Sequence, residues 1–245
     1  GGTGGAGGQT TTTTVLDEDQ DGWTVADGDC CDSLVAFCSD RPELVNPGAL
    51  EVPGNQVDDD CNPATLDNVP FPTCSTASQA TMDLANGAIV SATKLTKAMD
   101  LCQFTVEDPP LPQKTWGVIS SKITLADGTD AVAPKNIQMG VLPNFGPNVK
   151  PQEGQKMLVL SSGTARRPTD PGFDLPSGHD KGYTTSAPPG YPKESPACPD
   201  IETGEPHDSA GLRVVIKTPT NARSLSFDLD FYTYEFPNYI CTKWN

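Results

Sequence analysis

From Trp116 onward, apolar side chains recur at every second position. Ile119, Ile123 and Leu125 alternate with polar neighbours, and Ile137, Met139 and Val141 do the same. A side-chain period of two marks a strand with one buried face. Met157–Leu160 is a short continuous apolar run, the pattern of a buried strand. Leu212, Val214 and Ile216 alternate with Arg213 and Lys217. The clearest expected strand carries Leu225, Phe227, Leu229 and Phe231 on one face, with Ser226, Asp228, Asp230 and Tyr232 on the other. Several short strands separated by Gly/Pro turns predict a mainly β chain built as an antiparallel β-sandwich.

Upstream the period changes. Leu95, Ala98, Met99 and Cys102 recur at helical spacing and predict one apolar helix face within residues 76–102. Gly87 is expected to break an earlier short helix around Ala80–Asn86, and the Pro-rich run Asp108–Pro112 ends the helical region. Residues 166–208 are rich in Pro, Gly, Asp and Thr and lack periodicity. Tyr183, Tyr191, His179 and Asp180 in that loop could line a ligand site, although a decorated surface loop is the simpler reading. The chain begins with a glycine tract followed by Thr10–Thr14, which acts as a flexible tether. The expected division is a tether at 1–14, an acidic module at 15–68, a helical bridging segment at 69–112 and the β-sandwich at 113–245.

Charge redraws this picture at one place. The formal net charge is -16. Residues 15–68 hold 14 Asp and Glu against one basic residue, Arg41, whereas the rest has 18 acidic and 15 basic residues. Acidity concentrated in about a fifth of the chain repels itself on folding unless cations neutralise it. A solvated acidic linker is the alternative. Against that stand Trp23, Cys30, Cys61 and the Pro47-Gly48 turn, all marks of ordered structure.

The spacing of the acids points to a hard cation. Asp17, Asp19 and Asp21 alternate and are followed by Gly22, like positions 1, 3 and 5 of a calcium loop, with the Trp23 carbonyl at position 7. Position 12 is Gly28 where an EF-hand has Glu, so Asp27 or Asp29 is expected to close the shell. Asp58, Asp60 and Asn62 repeat the alternation, with the Ala64 carbonyl and Asp67 as completing ligands, and Glu51 within reach of either ion. The segment contains no His and no Met. Carboxylates and carbonyls suit calcium, magnesium or manganese, whereas copper and zinc favour imidazole and thiolate. Ca2+ is therefore the expected cofactor.

These residues carry a resemblance. Asp17-Glu18-Asp19-Gln20-Asp21-Gly22-Trp23, then Asp27-Gly28-Asp29-Cys30-Cys31-Asp32, Asn46-Pro47-Gly48-Ala49-Leu50-Glu51 and Asn55-Gln56-Val57-Asp58-Asp59-Asp60-Cys61-Asn62 resemble the MopE-type metal-binding motif of secreted bacterial proteins. The resemblance covers about residues 17–67. It implies calcium ligation by the alternating acids and a Cys30–Cys61 disulfide. Cys31 and Cys38 are additional to that pattern and are expected to bridge a short insert. A second resemblance, over about residues 85–245, rests on three segments. They are Met157–Gly163, Asp208–Val214 and Ser226-Phe227-Asp228-Leu229-Asp230-Phe231-Tyr232-Thr233-Tyr234-Glu235-Phe236-Pro237-Asn238-Tyr239. They look like a choice-of-anchor L domain, an extracellular β-rich domain found beside cell-surface sorting signals. In that family more strands follow, so the resemblance implies a sandwich that is incomplete in this chain and exposes an open edge.

Eight cysteines, an even count without CxxC or zinc spacing, read as disulfides in an oxidising compartment. Connectivity is open on the count alone; Cys74–Cys102 and Cys198–Cys241 complete the expected set. No apolar run approaches the ~20 residues of a membrane-spanning helix. The N-terminal tract lacks an initiator Met and is the kind that follows the lipid-bearing cysteine of a bacterial lipoprotein; an interdomain linker is the equal alternative.

No GxSxG, HExxH or phosphate-binding loop is present, and His179 and His207 have no recognisable nucleophile partner. Asp228, Asp230 and Glu235 read as a solvent face, so no catalytic residues and no enzymatic activity are expected. The acidity argues against nucleic acid as a partner. The expected function is a calcium-binding extracellular or outer-surface module for adhesion or envelope display, with surface glycans or other cell-surface proteins as partners. Calcium-dependent carbohydrate binding through Tyr183 and Tyr191 is the alternative, and a secreted hydrolase is third.

Overall fold

A computed structural model describes residues 16–33, 38–65, 67, 74, 91–108, 115–130, 136–152, 154–175 and 182–244. The chain divides into two compact units. The first takes in residues 1–69, 108–116 and Pro219–Arg223; the second comprises 70–107, 117–218 and 224–245. Residues 219–223 thus belong with the acidic segment, although the hydrophobic pattern groups them with the β-rich region.

The second unit is mainly β and antiparallel. Strand β1 (Gly117–Thr124) pairs antiparallel with β4 (Gly211–Lys217), and β2 (Met139–Leu142) pairs antiparallel with β3 (Met157–Leu160). One short helix, α1 (Ala92–Ala98), is the only α-helix among the described residues and packs against all four strands. Ser91 caps it, its side chain accepting from the Lys94 N–H at 3.2 Å. Leu95 and Ala98 are buried with Met139 and Val141, and Ile123, Leu158 and Leu212 pack around them. This small cluster is the apolar centre of the unit.

Local chemistry explains where the alternating pattern shifts. In β1 the register slips between Val118 and Ser120. Val118 lies opposite Ile216, Ser121 opposite Val214 and Ile123 opposite Leu212. The bulge falls at Ile119, which has no Cα partner in β4; it is half-buried in step with Ser121 and Ile123, and the slip brings Val118 onto the face of those two. Leu125 lies beyond the strand. In the helix, Met99 is the C-cap and is exposed, so the expected four-residue stripe is cut to Leu95 and Ala98. In β2, a Cβ at Gly140 would run into the Ala165 carbonyl, and the buried Arg166 guanidinium donates to the Met139 and Ala165 carbonyls at 2.8 Å each.

The segment expected as the clearest strand is not one. Residues 224–233 carry no ladder pairing. Leu225, Phe227, Leu229 and Phe231 are 77–84% exposed. In this stretch Tyr232 meets Phe145, with ring centroids 4.9 Å apart. Further along, Cys198–Cys241 ties the chain end to the 182–210 loop, helped by the Gly204 N–H donating to the Lys243 carbonyl and by His207 stacking edge-on against Trp244. The earlier helix expected around 80–86 lies outside the described residues. No helix among the described residues is long and apolar enough to cross a membrane.

All eight cysteines are oxidised, as Cys30–Cys61, Cys31–Cys38, Cys74–Cys102 and Cys198–Cys241.

Candidate metal centre

Among its described residues the first unit has little apolar interior. Trp23, Cys31, Val45 and Ala49 are buried, together with a set of polar side chains: Asp29, Asp32, Asn46, Glu51 and Asp59. Its order comes from carboxylates that accept backbone N–H groups. Asp17 accepts from Gln20 and Gly22 at 2.7 and 2.9 Å, and Asp21 accepts from Trp23 at 2.8 Å. Gln20 and Gly22 both take positive φ, 65° and 93°, which curls the loop so that side chains at every second position converge. Gly22 allows this without a Cβ penalty. Asp32 reaches back to accept from the Glu18 N–H at 2.6 Å and the Val25 N–H at 3.3 Å.

This wiring gathers two carboxylate triads in the first loop, Asp17–Asp19–Asp32 and Asp19–Asp21–Asp29, with Asp19 common to both. A third triad, Glu51–Asp58–Asp60, forms in the second loop. Within each, one oxygen per residue lies within 4.8 Å of the others. Cys30–Cys61 links the two loops at a Cα separation of 5.5 Å. A further grouping, Cys74 with Asp100 and Cys102, is no metal site, because both sulfurs are spent in a disulfide and Asp100 accepts from the Cys74 N–H.

Of the two candidates to close the first shell, Asp29 joins a triad and Asp27 does not. Asp27 instead accepts from the Thr24 hydroxyl at 2.8 Å within the 3-10 turn Val25–Asp27. In the second loop Glu51 joins Asp58 and Asp60, and its Oε2 accepts from the Asp59 N–H at 3.0 Å. Asn62 turns back on its own loop, accepting from Ala64 and donating to Thr65. One oxygen of Asp67 accepts from Gly54, Asn55 and Gln56, each at 3.0 Å, and so fastens a turn. Asp32 is the residue that sequence spacing misses. It stands outside the alternation and enters only through the tertiary fold-back to Glu18. Trp23 is buried against the Pro47-Gly48 turn, where a Cβ on Gly48 would sit 3.1 Å from the indole.

The electrostatics of the triads are unbalanced. Burial raises the Asp19 carboxyl to about 6, with neighbouring Asp21 adding to the rise. Burial likewise raises Asp21, Asp29, Glu51 and Asp60. Arg41, the one basic residue in 15–68, is engaged elsewhere, paired with Glu43 at 2.7 Å. Asp19 Oδ2, Asp29 Oδ2 and Glu51 Oε1 are sequestered without a hydrogen-bond donor. Asp29 and Glu51 are only 4% and 7% exposed. Leaving a buried carboxylate oxygen unsatisfied costs on the order of 1–3 kcal/mol, more if it is ionised. All-oxygen donor sets with spare lone pairs fit a hard divalent cation.

Among the described residues the second unit offers no comparable cluster of carboxylates. Tyr183 is consumed structurally, its hydroxyl donating to the Ser209 carbonyl at 2.6 Å and lying 3.1 Å from Gln138 Oε1. Tyr191 is 60% exposed, with Lys193 over its ring. His179 and Asp180 lie outside the described residues. Asp228, Asp230 and Glu235 are exposed.

No protein-family model, curated protein or solved structure matches this chain. The residues themselves describe an acidic, disulfide-stapled module with three carboxylate triads that could hold a metal ion.

Proposed function

We propose that the acidic module binds calcium and that the ion's role is structural, within an extracellular protein that serves adhesion or cell-envelope display. The observation that carries the reading is the set of sequestered oxygens on Asp19, Asp29 and Glu51, one or more in every triad-bearing loop, which no hydrogen-bond donor meets. A hard cation in each loop would meet them. The donor set holds no imidazole or thioether, which favours calcium over copper or zinc. Four disulfides suit an oxidising compartment outside the cell. Catalytic metals keep an open position beside an acid or base; here the neighbouring carboxylates serve as ligands or turn fasteners, which favours a structural ion.

Isothermal titration of the full chain, disulfides intact, tests this. Calcium should bind with a defined stoichiometry and more tightly than copper or zinc. Tighter copper binding, or no calcium binding, overturns it. Calcium-dependent carbohydrate recognition is a second reading, favoured by the exposed rings of Tyr191, Tyr234 and Phe236. Glycan-array binding that disappears with chelator is its test.

A further inference from the structure

Asn46 is fully buried and sits at a junction. Its Nδ2 donates to Asp21 Oδ2 at 2.7 Å, while its Oδ1 accepts from the Gly48 N–H at 3.0 Å and from the Thr220 hydroxyl at 2.7 Å. The two donors on Oδ1 fix which way the amide faces, so Nδ2 must point at the Asp21 carboxylate. One of those donors comes from 174 residues downstream. The Thr220 N–H also donates to the Gly48 carbonyl at 3.0 Å. Beside it, Asn221 grips the backbone of Leu50 at both ends, accepting from its N–H at 2.9 Å and donating to its carbonyl at 2.7 Å. Leu50 precedes Glu51, whose Oε1 is one of the sequestered oxygens of the second-loop triad. The strap Pro219–Arg223 therefore supports one acid in each loop.

We infer that Thr220 and Asn221 are positioning residues of the metal centre, and that seating of the strap and binding of the ion are coupled. The inference rests on the calcium reading above. Groups that orient metal ligands through hydrogen bonds tune affinity without touching the ion. Coupling of this kind is reciprocal: if the strap strengthens calcium binding, calcium strengthens the seating of the strap. The acidic segment by itself is then an incomplete site, although every candidate ligand lies within residues 17–67.

The test uses the full chain and calcium itself. Calcium should slow amide exchange at Thr220 and Leu50, whose N–H groups bond across the junction. Thr220→Val should weaken calcium binding by about 3-fold or more, below the range typical for groups one step from the ligands because Thr220 acts through Asn46. Thr220→Ser keeps the hydroxyl and should bind as the parent does, which a purely packing role for the threonine would not require. Calcium binding by the parent with no change in exchange at Thr220, or unchanged affinity in Thr220→Val, overturns the inference and leaves the calcium reading standing. A parent chain that binds no calcium overturns both. The exchange measurement needs no variant, so a poorly folding substitution leaves the inference testable.

Discussion

At the scale of single residues, two aspartates of the same segment with the same chemistry have opposite assignments. Asp19 belongs to both first-loop triads, whereas Asp27 closes a 3-10 turn through the Thr24 hydroxyl. Asp19→Asn should weaken calcium binding by about 10-fold or more, because ligand charge sets affinity at such sites. Asp27→Asn should leave it within about 2-fold. Titration calorimetry on the two variants checks this, and equal losses would contradict the assignment. A second consequence concerns pH in the metal-free protein. Asp19 is raised from its ordinary value to about 6, chiefly by burial. A carboxyl raised on folding binds more protons in the native state, so native stability falls as pH rises through the window from about 4 to 6. With calcium bound the sign reverses, because the ion requires the deprotonated acid. Thermal melts with chelator should thus lose stability from pH 4 to pH 7, and melts with calcium should gain it. The acids were legible because alternation plus Gly22 dictates convergence, and their number betrays the need for a counter-ion. Asp32 was illegible, since its place depends on a fold-back to Glu18 that no local spacing encodes.

At the scale of elements, alternation identifies an apolar face but cannot supply a partner strand. β4 realises its pattern because β1 lies beside it. Leu225–Phe231 has the stronger pattern, yet no described strand pairs with it and its large side chains stand in solvent. Phe227→Ser and Phe231→Ser should therefore change stability little, within the ~0.5 kcal/mol typical of surface sites. Met139→Ala, at 1% exposure inside the core cluster, should cost roughly 2–5 kcal/mol. Denaturant unfolding of the three variants checks the contrast; a large loss in the Phe variants would mean that this stretch is buried in solution. Gly140→Ala belongs with Met139→Ala, since its Cβ meets the Ala165 backbone and cannot be relieved by a side-chain swing. β1 teaches the same lesson in smaller form. A single bulge at Ile119 reverses the side-chain parity, and periodicity read along one strand does not reveal it.

At the scale of the molecule, the two units depend on different forces, which can be removed separately. The second unit is held by a small but real apolar cluster around Leu95, Met139 and Val141. The first unit buries few apolar side chains among its described residues, carries -12 of the net charge of -16, and relies on Cys30–Cys61 and Cys31–Cys38. Closing the 31-residue separation of Cys30 and Cys61 contributes roughly 3–4 kcal/mol, mostly by restricting the unfolded chain. Bound calcium would add its own stabilisation by mass action. Either support alone should then keep the unit folded, one by limiting the chain and the other by cancelling repulsion between carboxylates. Hydrogen exchange should accordingly show modest loosening of residues 17–62 with chelator alone or reductant alone. Chelator and reductant together should abolish protection there, while 139–142 stays protected, because neither treatment removes the contacts that bury Met139 and Val141. Full protection of 17–62 under the combined treatment would mean that the sequestered carboxylates need no cation, and that the order of the unit lies in its backbone hydrogen bonds alone.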